Sequence, residues 1–548
     1  IGQYPGRLSQ FTAPKMVKDY TYRNIALNRM VYTSSNADFN LTGHLVTDGI
    51  ITSKAPSFLS VKTNEGELSN RDKEKMIDGN TVTSQYIKGE NAFVEFNWEA
   101  MKVNLKKLEF TGELAFYKDK ASQGYTIRVM GSHNGKKWEV LGEEKGSDLP
   151  GVATKQQVSS DPNKFQDVVK LPLRKLNVSI PLKKPGSYEH VRIELIMPGA
   201  AWWRIKLIDN STAWRPSMHF ASVWKSDLAK KTDTKIQWLY VDLGTEADFD
   251  QVNLFWVNKA RQGKIQVSND ARNWSDIATL GQQKLKGLIE KVACKGHGRY
   301  VRLQLTEPDA SGHYALSEMQ VMGKGGLRAE TANTLASKNG KQMLNQWQLR
   351  REGSDAWIQA TVPGTVLTSY MNIGAVPDNR FDDNMRQISE SFFNSDFWYR
   401  TTIEHKPSAN KQQHTYLNFD GINWKADILL NGEKIGRIDG AFIRSRIDVT
   451  KKLKPGSNKL EVHVIKNAHF GVVKQKNLQN TDLNGGELGA DNPTFHASIG
   501  WDWITNTPGR EIGIWNDVYL THDNGVSVSD PVVTSTLNLP DTLASMTP

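Results

Sequence analysis

Apolar and polar positions alternate in short runs along most of this chain. Tyr125-Thr126-Ile127-Arg128-Val129 changes face at every residue, and Tyr300–Leu305 and Lys459–Val464 do so over most of their length. A period of two places every second side chain on one face of a strand, so each run predicts a half-buried β-strand. Gly, Asn, Asp or Pro interrupts such runs every ten or so residues, and no long amphipathic helical period appears. The fold predicted is all-β, a series of sandwiches. Asn431-Gly432 falls between two extended runs, Ala426–Leu430 and Lys434–Gly436. Both residues tolerate positive φ, so the dipeptide predicts a tight hairpin.

One tract occurs twice. Gly131-Ser132-His133-Asn134-Gly135-Lys136-Lys137-Trp138 parallels Val267-Ser268-Asn269-Asp270-Ala271-Arg272-Asn273-Trp274. Each copy follows an alternating run and precedes a Val-Arg-apolar strand, Val191-Arg192-Ile193 and Val301-Arg302-Leu303. Ser132 and Arg192 are 60 residues apart, Ser268 and Arg302 only 34, so the first copy carries 26 extra residues. The polar tract 143–164 is the expected site of that insertion, as a surface loop.

The repeat resembles the discoidin-like family, the coagulation-factor type C domains that include family 32 carbohydrate-binding modules. In the first copy the resemblance also rests on Asn24-Ile25-Ala26-Leu27 and Ile77-Asp78-Gly79-Asn80-Thr81, in the second on Gln237–Gly244. It implies a jelly-roll sandwich for each copy. Further on, Leu417–Gly432 and Gly513–Leu520, with Trp347-Gln348-Leu349, Val362–Val366 and Phe397-Trp398-Tyr399-Arg400, resemble the N-terminal sugar-binding sandwich of glycoside hydrolase family 2. Pro377-Asp378 through Asp382-Asp383-Asn384-Met385 resembles its exo-β-glucosaminidase and β-mannosidase branch. The expected organisation is an N-terminal extension over 1–19, discoidin-like sandwiches over 20–210 and 211–325, and the family 2 sandwich over 330–525. The glycines of Gly323-Lys324-Gly325-Gly326 mark a boundary. Ser529–Leu537 resembles the first strand of an immunoglobulin-like domain over 528–548, which implies truncation. The chain opens on Ile1 without a signal-peptide pattern, as after signal removal or a start inside a longer gene.

Bulk properties narrow the function. The chain has 548 residues, enough for three or four domains. Its formal net charge of +10 comes from 69 Lys and Arg scattered among 59 acids, with no basic stripe to suit nucleic acid. No apolar run reaches the ~18 residues a membrane span needs. Cys294 is the single cysteine, so no internal disulfide forms, and no His or Asn motif makes it a nucleophile. A bacterial periplasmic or extracellular setting is the expectation.

The family 2 resemblance implies that the sandwich leans over a catalytic barrel and helps to line the pocket for the terminal sugar. The matching positions are Asp383, Asn384, Trp501, Asp502 and Trp503. Carboxylate and amide suit sugar hydroxyls, and an indole suits the C–H face. Trp501 and Trp503 read equally well as core aromatics. A retaining glycosidase needs two carboxyl groups about 5 Å apart. The family's acid commonly follows Asn, and the Asn-Glu here, Asn64-Glu65, lies in a polar stretch; no catalytic pair is expected in this chain. Asp78, Asn80 and Thr83 resemble a loop that binds calcium in many discoidin-like relatives, while a plain Asp-Gly turn explains the same residues. No cofactor is required beyond such a structural calcium. Trp202, Trp203, Trp214 and Trp224 read as a glycan platform or as packing. The function implied is the non-catalytic carbohydrate-recognition half of a retaining exo-glycosidase. β-Mannoside or β-glucosaminide is favoured as substrate, with β-galactoside and β-glucuronide within range. Its partners would be an oligosaccharide or polysaccharide and a downstream barrel of the same polypeptide. A stand-alone glycan-binding or adhesion protein is the alternative.

Overall fold

The computed structural model describes residues 14–55, 58–80, 82–99, 101–117, 123–146, 171–208, 211–215, 221–229, 236–281, 287–330, 340–468, 509, 511–528 and 532–535. The described part is dominated by antiparallel strands around three large apolar cores.

The first sandwich packs a six-stranded sheet on a four-stranded one. The six run in the order Glu139–Gly146, Tyr125–Ser132, His190–Ile196, Asn91–Trp98, Leu59–Thr63 and Gly66–Glu67. The four are Leu173–Tyr188, Val103–Phe116, Ala200–Ile208 and Gln85–Lys88. Inward residues such as Ile127, Val129, Val191, Ile193 and Leu195 alternate with half-buried neighbours, as the period-two pattern requires.

The second sandwich is built from two separated stretches. Its long strands are Gln237–Asn258 and Ile289–Glu307, which bend at register shifts between Asp242 and Ala247 and between Phe249 and Gln251. Bulges of this kind let one strand serve both layers of a sandwich. Arg23–Asn24 pairs with Ala315–Lys324, Met30–Thr33 pairs with Gln237–Asn258, and Met16–Asp19 pairs with Gly326–Ala329. Ile25, Ala26, Val31 and Val46 lie in the core with Trp224, Leu239 and Val301. Residues 16–50 therefore belong to the second sandwich, and the first, from about 58 to 215, is inserted within it.

This corrects the expected boundaries. Asn24-Ile25-Ala26-Leu27 opens the second module rather than the first, and residues 16–19 form a paired strand rather than a free extension. Within the tract 323–326, Lys324 closes one strand and Gly326 opens the next, around a left-handed Gly325 at φ 85°. A Cβ on Gly323 would sit 2.1 Å from Asp248 O, so glycine serves close strand approach there. Of the expected loop 143–164, residues 143–146 are strand and 147–164 lie outside the described residues.

The third sandwich pairs a four-stranded sheet (Gln342–Met343, Val518–Asp523, His414–Phe419, Ser445–Asp448) with a six-stranded one ordered Ile358–Gln359, Gln348–Arg351, Phe397–His405, Gly456–Ile465, Lys425–Leu430, Glu433–Asp439. The predicted hairpin is present: Asn431 and Gly432 have φ of 53° and 84° between paired strands. Val532–Ser535 are exposed and carry no strand pairing among the described residues.

Candidate functional site

The repeated tract folds the same way twice. Ser132 Oγ accepts from the backbone N–H groups of Asn134 and Gly135, at 3.3 and 3.0 Å, and Asn134 Oδ1 accepts from Lys136 and Lys137. Ser268 Oγ accepts from Asp270 and Ala271, and Asp270 Oδ1 from Arg272 and Asn273. The indoles of Trp138 and Trp274 donate back to Gly135 O and Ala271 O. Arg192 then lies 4.4 Å over Trp138, and Arg302 4.0 Å over Trp274. The shared serine, acid-or-amide and tryptophan are turn architecture, which is why they recur.

Asp78, Asn80 and Thr83 do converge. Thr83 Oγ1 lies 2.7 Å from Asp78 Oδ2, 2.9 Å from Asn80 O and 3.2 Å from Lys75 O. One hydroxyl proton serves only one of these acceptors at a time. The set is of hard oxygens, the kind calcium takes, but it carries a single carboxylate. Among the described residues no group of three His, Cys, Asp or Glu side chains is placed to hold a metal ion.

The second sandwich has its own Asp-Gly, at Asp48-Gly49, and sequence reasoning passed over it. The signal was present: an apolar pair precedes each, Leu45-Val46 and Met76-Ile77, and both glycines are left-handed, at φ 79° and 78°. Asp48 meets the third sandwich. Arg351 Nη1 donates to Asp48 Oδ2 and to Ser222 Oγ, each at 3.0 Å, and Ser222 Oγ donates to the same carboxylate oxygen at 2.6 Å. Ser354 Oγ donates to Asp48 O. Burial pushes the Asp48 carboxyl up to about 6 against the pull of Arg351. Glu318, fully buried, is driven well above the usual carboxylate range by burial and by Asp48. Shifted carboxylate pairs often mark catalytic centres. This one is sealed in an interface, with the Asp48 side chain 4% exposed, and offers a substrate no access.

His44 forms the second half of that interface. The Ser389 backbone N–H donates to His44 Nε2 at 2.9 Å, so that nitrogen must present its lone pair. Burial, then Arg351, lowers the imidazole to about 3 and keeps it neutral. Ser389 and Ser391 hydroxyls donate to Asn40 O, and Asn36 Nδ2 donates to Gln387 Oε1 at 3.3 Å. Arg29 Nη2 reaches Ile373 O at 2.9 Å.

These contacts fix the loop that carries the predicted sugar residues. Asp383 is exposed, and no described residue donates to its carboxylate. Asn384 follows in a short 3-10 turn, its Nδ2 donating to Asp378 O at 2.8 Å. Asp378 is in turn clamped by Arg380. Phe381, 62% exposed, stands beside them. Trp501, Asp502 and Trp503 lie outside the described residues.

The four clustered tryptophans are packing residues. Trp203 and Trp214 lie in the first core, Trp224 in the second, and Trp202 in a small cluster with Ala115 and Leu171. All are at most 6% exposed, so they form no glycan platform. Cys294 sits inside the strand Ile289–Glu307, where burial pushes the thiol up to about 11. Glu65 lies at a hairpin tip, ion-paired with Lys88 at 3.3 Å. No described helix is long and apolar enough to cross a membrane.

Comparison with known proteins agrees with this architecture. Residues 347–516 match the family model described as glycosyl hydrolase 2 galactose-binding domain-like. Residues 206–303 match the NedA-like, galactose-binding domain of the F5/F8 type C class. A mannosylglycoprotein endo-beta-mannosidase of Lilium longiflorum is 36% identical over 182 residues, 32% of this chain and 18% of that protein. An exo-beta-D-glucosaminidase of Streptomyces avermitilis is 26% identical over 34% of this chain and 18% of its own length. A beta-mannosidase of Rattus norvegicus is 27% identical over 34% and 22%. The chain thus spans about a fifth of the length of these relatives. Residues 347–516 are thus similar to the galactose-binding-like domain of glycosyl hydrolase 2 proteins, and residues 206–303 to an F5/F8 type C domain.

Proposed function

We propose that this chain is the non-catalytic carbohydrate-recognition part of a retaining exo-glycosidase acting on a terminal β-mannoside or β-glucosaminide. The observation that carries this reading is the loop of the third sandwich. Asp383 is exposed there with no hydrogen-bond donor among the described residues, on a backbone held by Asn384 and by the second sandwich. A free carboxylate on a braced loop suits a hydroxyl of a terminal sugar. The names of the relatives favour mannoside or glucosaminide. The chemistry itself, a pair of carboxyl groups about 5 Å apart, would come from a barrel elsewhere in the polypeptide. In this reading the second sandwich buttresses the substrate loop.

The test begins with the intact mass of the native gene product against the 61.6 kDa of this chain. An immunoglobulin-like domain and a barrel together add at least ~40 kDa. Asp383→Ala and Asp502→Ala in that complete product should lower activity on β-mannoside or β-glucosaminide strongly while leaving the thermal midpoint unchanged. Equal activity of variants and parent would overturn the pocket assignment. A native product of the same mass would favour the stand-alone glycan-binding reading.

A further inference from the structure

A cleft of about 380 Å³ opens at the seam between the first and second sandwiches. It exists because one module is inserted into the other, and both supply its walls. The walls are tied together by charge. Lys225 ion-pairs with Glu99, and His313 Nε2 lies 3.0 Å from the same Glu99 oxygen while its Nδ1 meets Ser226 O at 2.9 Å. Desolvation works against the Glu99 charge, yet the bonds from His313 and Lys225 hold its carboxyl down at about 2. The cleft is therefore held in shape by bonds within the protein, with Lys225 and His313 both on Glu99 Oε1.

Asp227 lines the same cleft, and no described residue donates a hydrogen bond to its carboxylate. On the facing wall His190 Nδ1 lies 2.7 Å from Asn97 Oδ1. With that oxygen as acceptor, Nδ1 carries the proton and Nε2 presents a lone pair. Burial lowers the His190 pKa, in keeping with a neutral ring. The Ser60 hydroxyl can both donate and accept, and the half-exposed Leu228 supplies apolar surface at the mouth, with the buried Phe58 and Trp98 behind it.

An acceptor-rich cleft with an apolar side matches a ligand with several O–H donors and a C–H face. The free Asp227 carboxylate disfavours an anion. We propose that this seam cleft binds one or two pyranose units of a glycan, whose hydroxyls, or ammonium in an amino sugar, donate to Asp227 and His190. The third sandwich takes no part, so the inference stands whether or not the parent is a glycosidase.

The test is calorimetric titration of the 548-residue chain with a glucosamine trimer and, separately, with mannotriose. Asp227→Ala and His190→Ala should each weaken binding about tenfold or more, as loss of a hydrogen bond to a charged or buried partner does. Their thermal midpoints should match the parent. A preference for the glucosamine trimer that disappears in Asp227→Ala assigns the contact to an ammonium; equal loss for both sugars assigns it to hydroxyls. Binding abolished by Asp383→Ala and untouched by Asp227→Ala would overturn the cleft and favour the third sandwich. Failure of both trimers to bind at millimolar concentration would overturn it outright.

Discussion

The two Asp-Gly loops start alike and end differently. In the first sandwich, Asp78 is half-buried and its oxygens are satisfied locally, by the Asn80 N–H and the Thr83 hydroxyl. In the second, Asp48 makes the same local bond, to the Ile50 N–H, but its other oxygen takes Ser222 and the guanidinium of Arg351 from the next sandwich. A turn that only folds its own module in one place has become an inter-domain latch in the other. The difference follows from where each loop sits. Fully buried, a carboxylate must find a cation; half-buried, local donors and water suffice.

The hardest blow to this comparison is Arg351→Ala. It leaves Asp48 buried without its partner, and we expect a loss of about 3–5 kcal/mol in denaturant unfolding, mostly from the transition that separates the second and third sandwiches. Asp78→Ala should cost about 1 kcal/mol, since its half-buried carboxylate bonds only within its own turn. Similar costs for the two would erase the distinction.

Next comes pH. His44 has its folded pKa lowered from 6.5 to about 3, so its stability contribution is present above pH 6.5 and is lost as pH falls through that range. Asp48 has its folded pKa raised from 3.8 to about 6, so its contribution is present below pH 3.8 and lost as pH rises through 6. Between pH 4 and 6 the two trends oppose. His44→Gln removes the first, and its stability should then fall as pH rises across that window. A variant with the parent's pH profile would show that His44 is not the opposing group.

Smaller effects sharpen the picture. Ser132→Ala and Ser268→Ala each remove the hydroxyl oxygen that accepts from two backbone N–H groups in equivalent turns and should cost about 1 kcal/mol apiece by thermal unfolding. Unequal values would show that the repeat is alike in geometry but not in energy. Smallest of all, calcium near 10⁻³ M, the range of weak extracellular sites, should raise the midpoint of the parent slightly and that of Asp78→Ala not at all. A response that survives in Asp78→Ala would place the ion elsewhere.

What the sequence made legible was local. Alternation located the strands, Asn431-Gly432 its hairpin, and the Ser132 and Ser268 tracts a shared turn, because each is encoded within a few residues. Strand partnership was not. Met30–Thr33 pairs with residues about 210 positions on, and nothing in its own alternation says which sheet it joins. The nested arrangement was hidden for that reason, and the latch with it, since Asp48 and Arg351 lie 303 residues apart. Motif resemblance singled out Asp383 and Asn384, but the bracing of their loop by His44 required three dimensions.

The insertion of one sandwich into another has a mechanical consequence. A module strung on a single linker can swivel about it. The first sandwich is instead tethered by two crossings of the chain, one entering after residue 50 and one returning before Trp224, with the Glu99–Lys225 clasp between them. Two anchor points define an axis and a third removes rotation about it. Whatever the first sandwich grasps is therefore held at a fixed bearing to the rest of the chain, as a rigid outrigger rather than a flail.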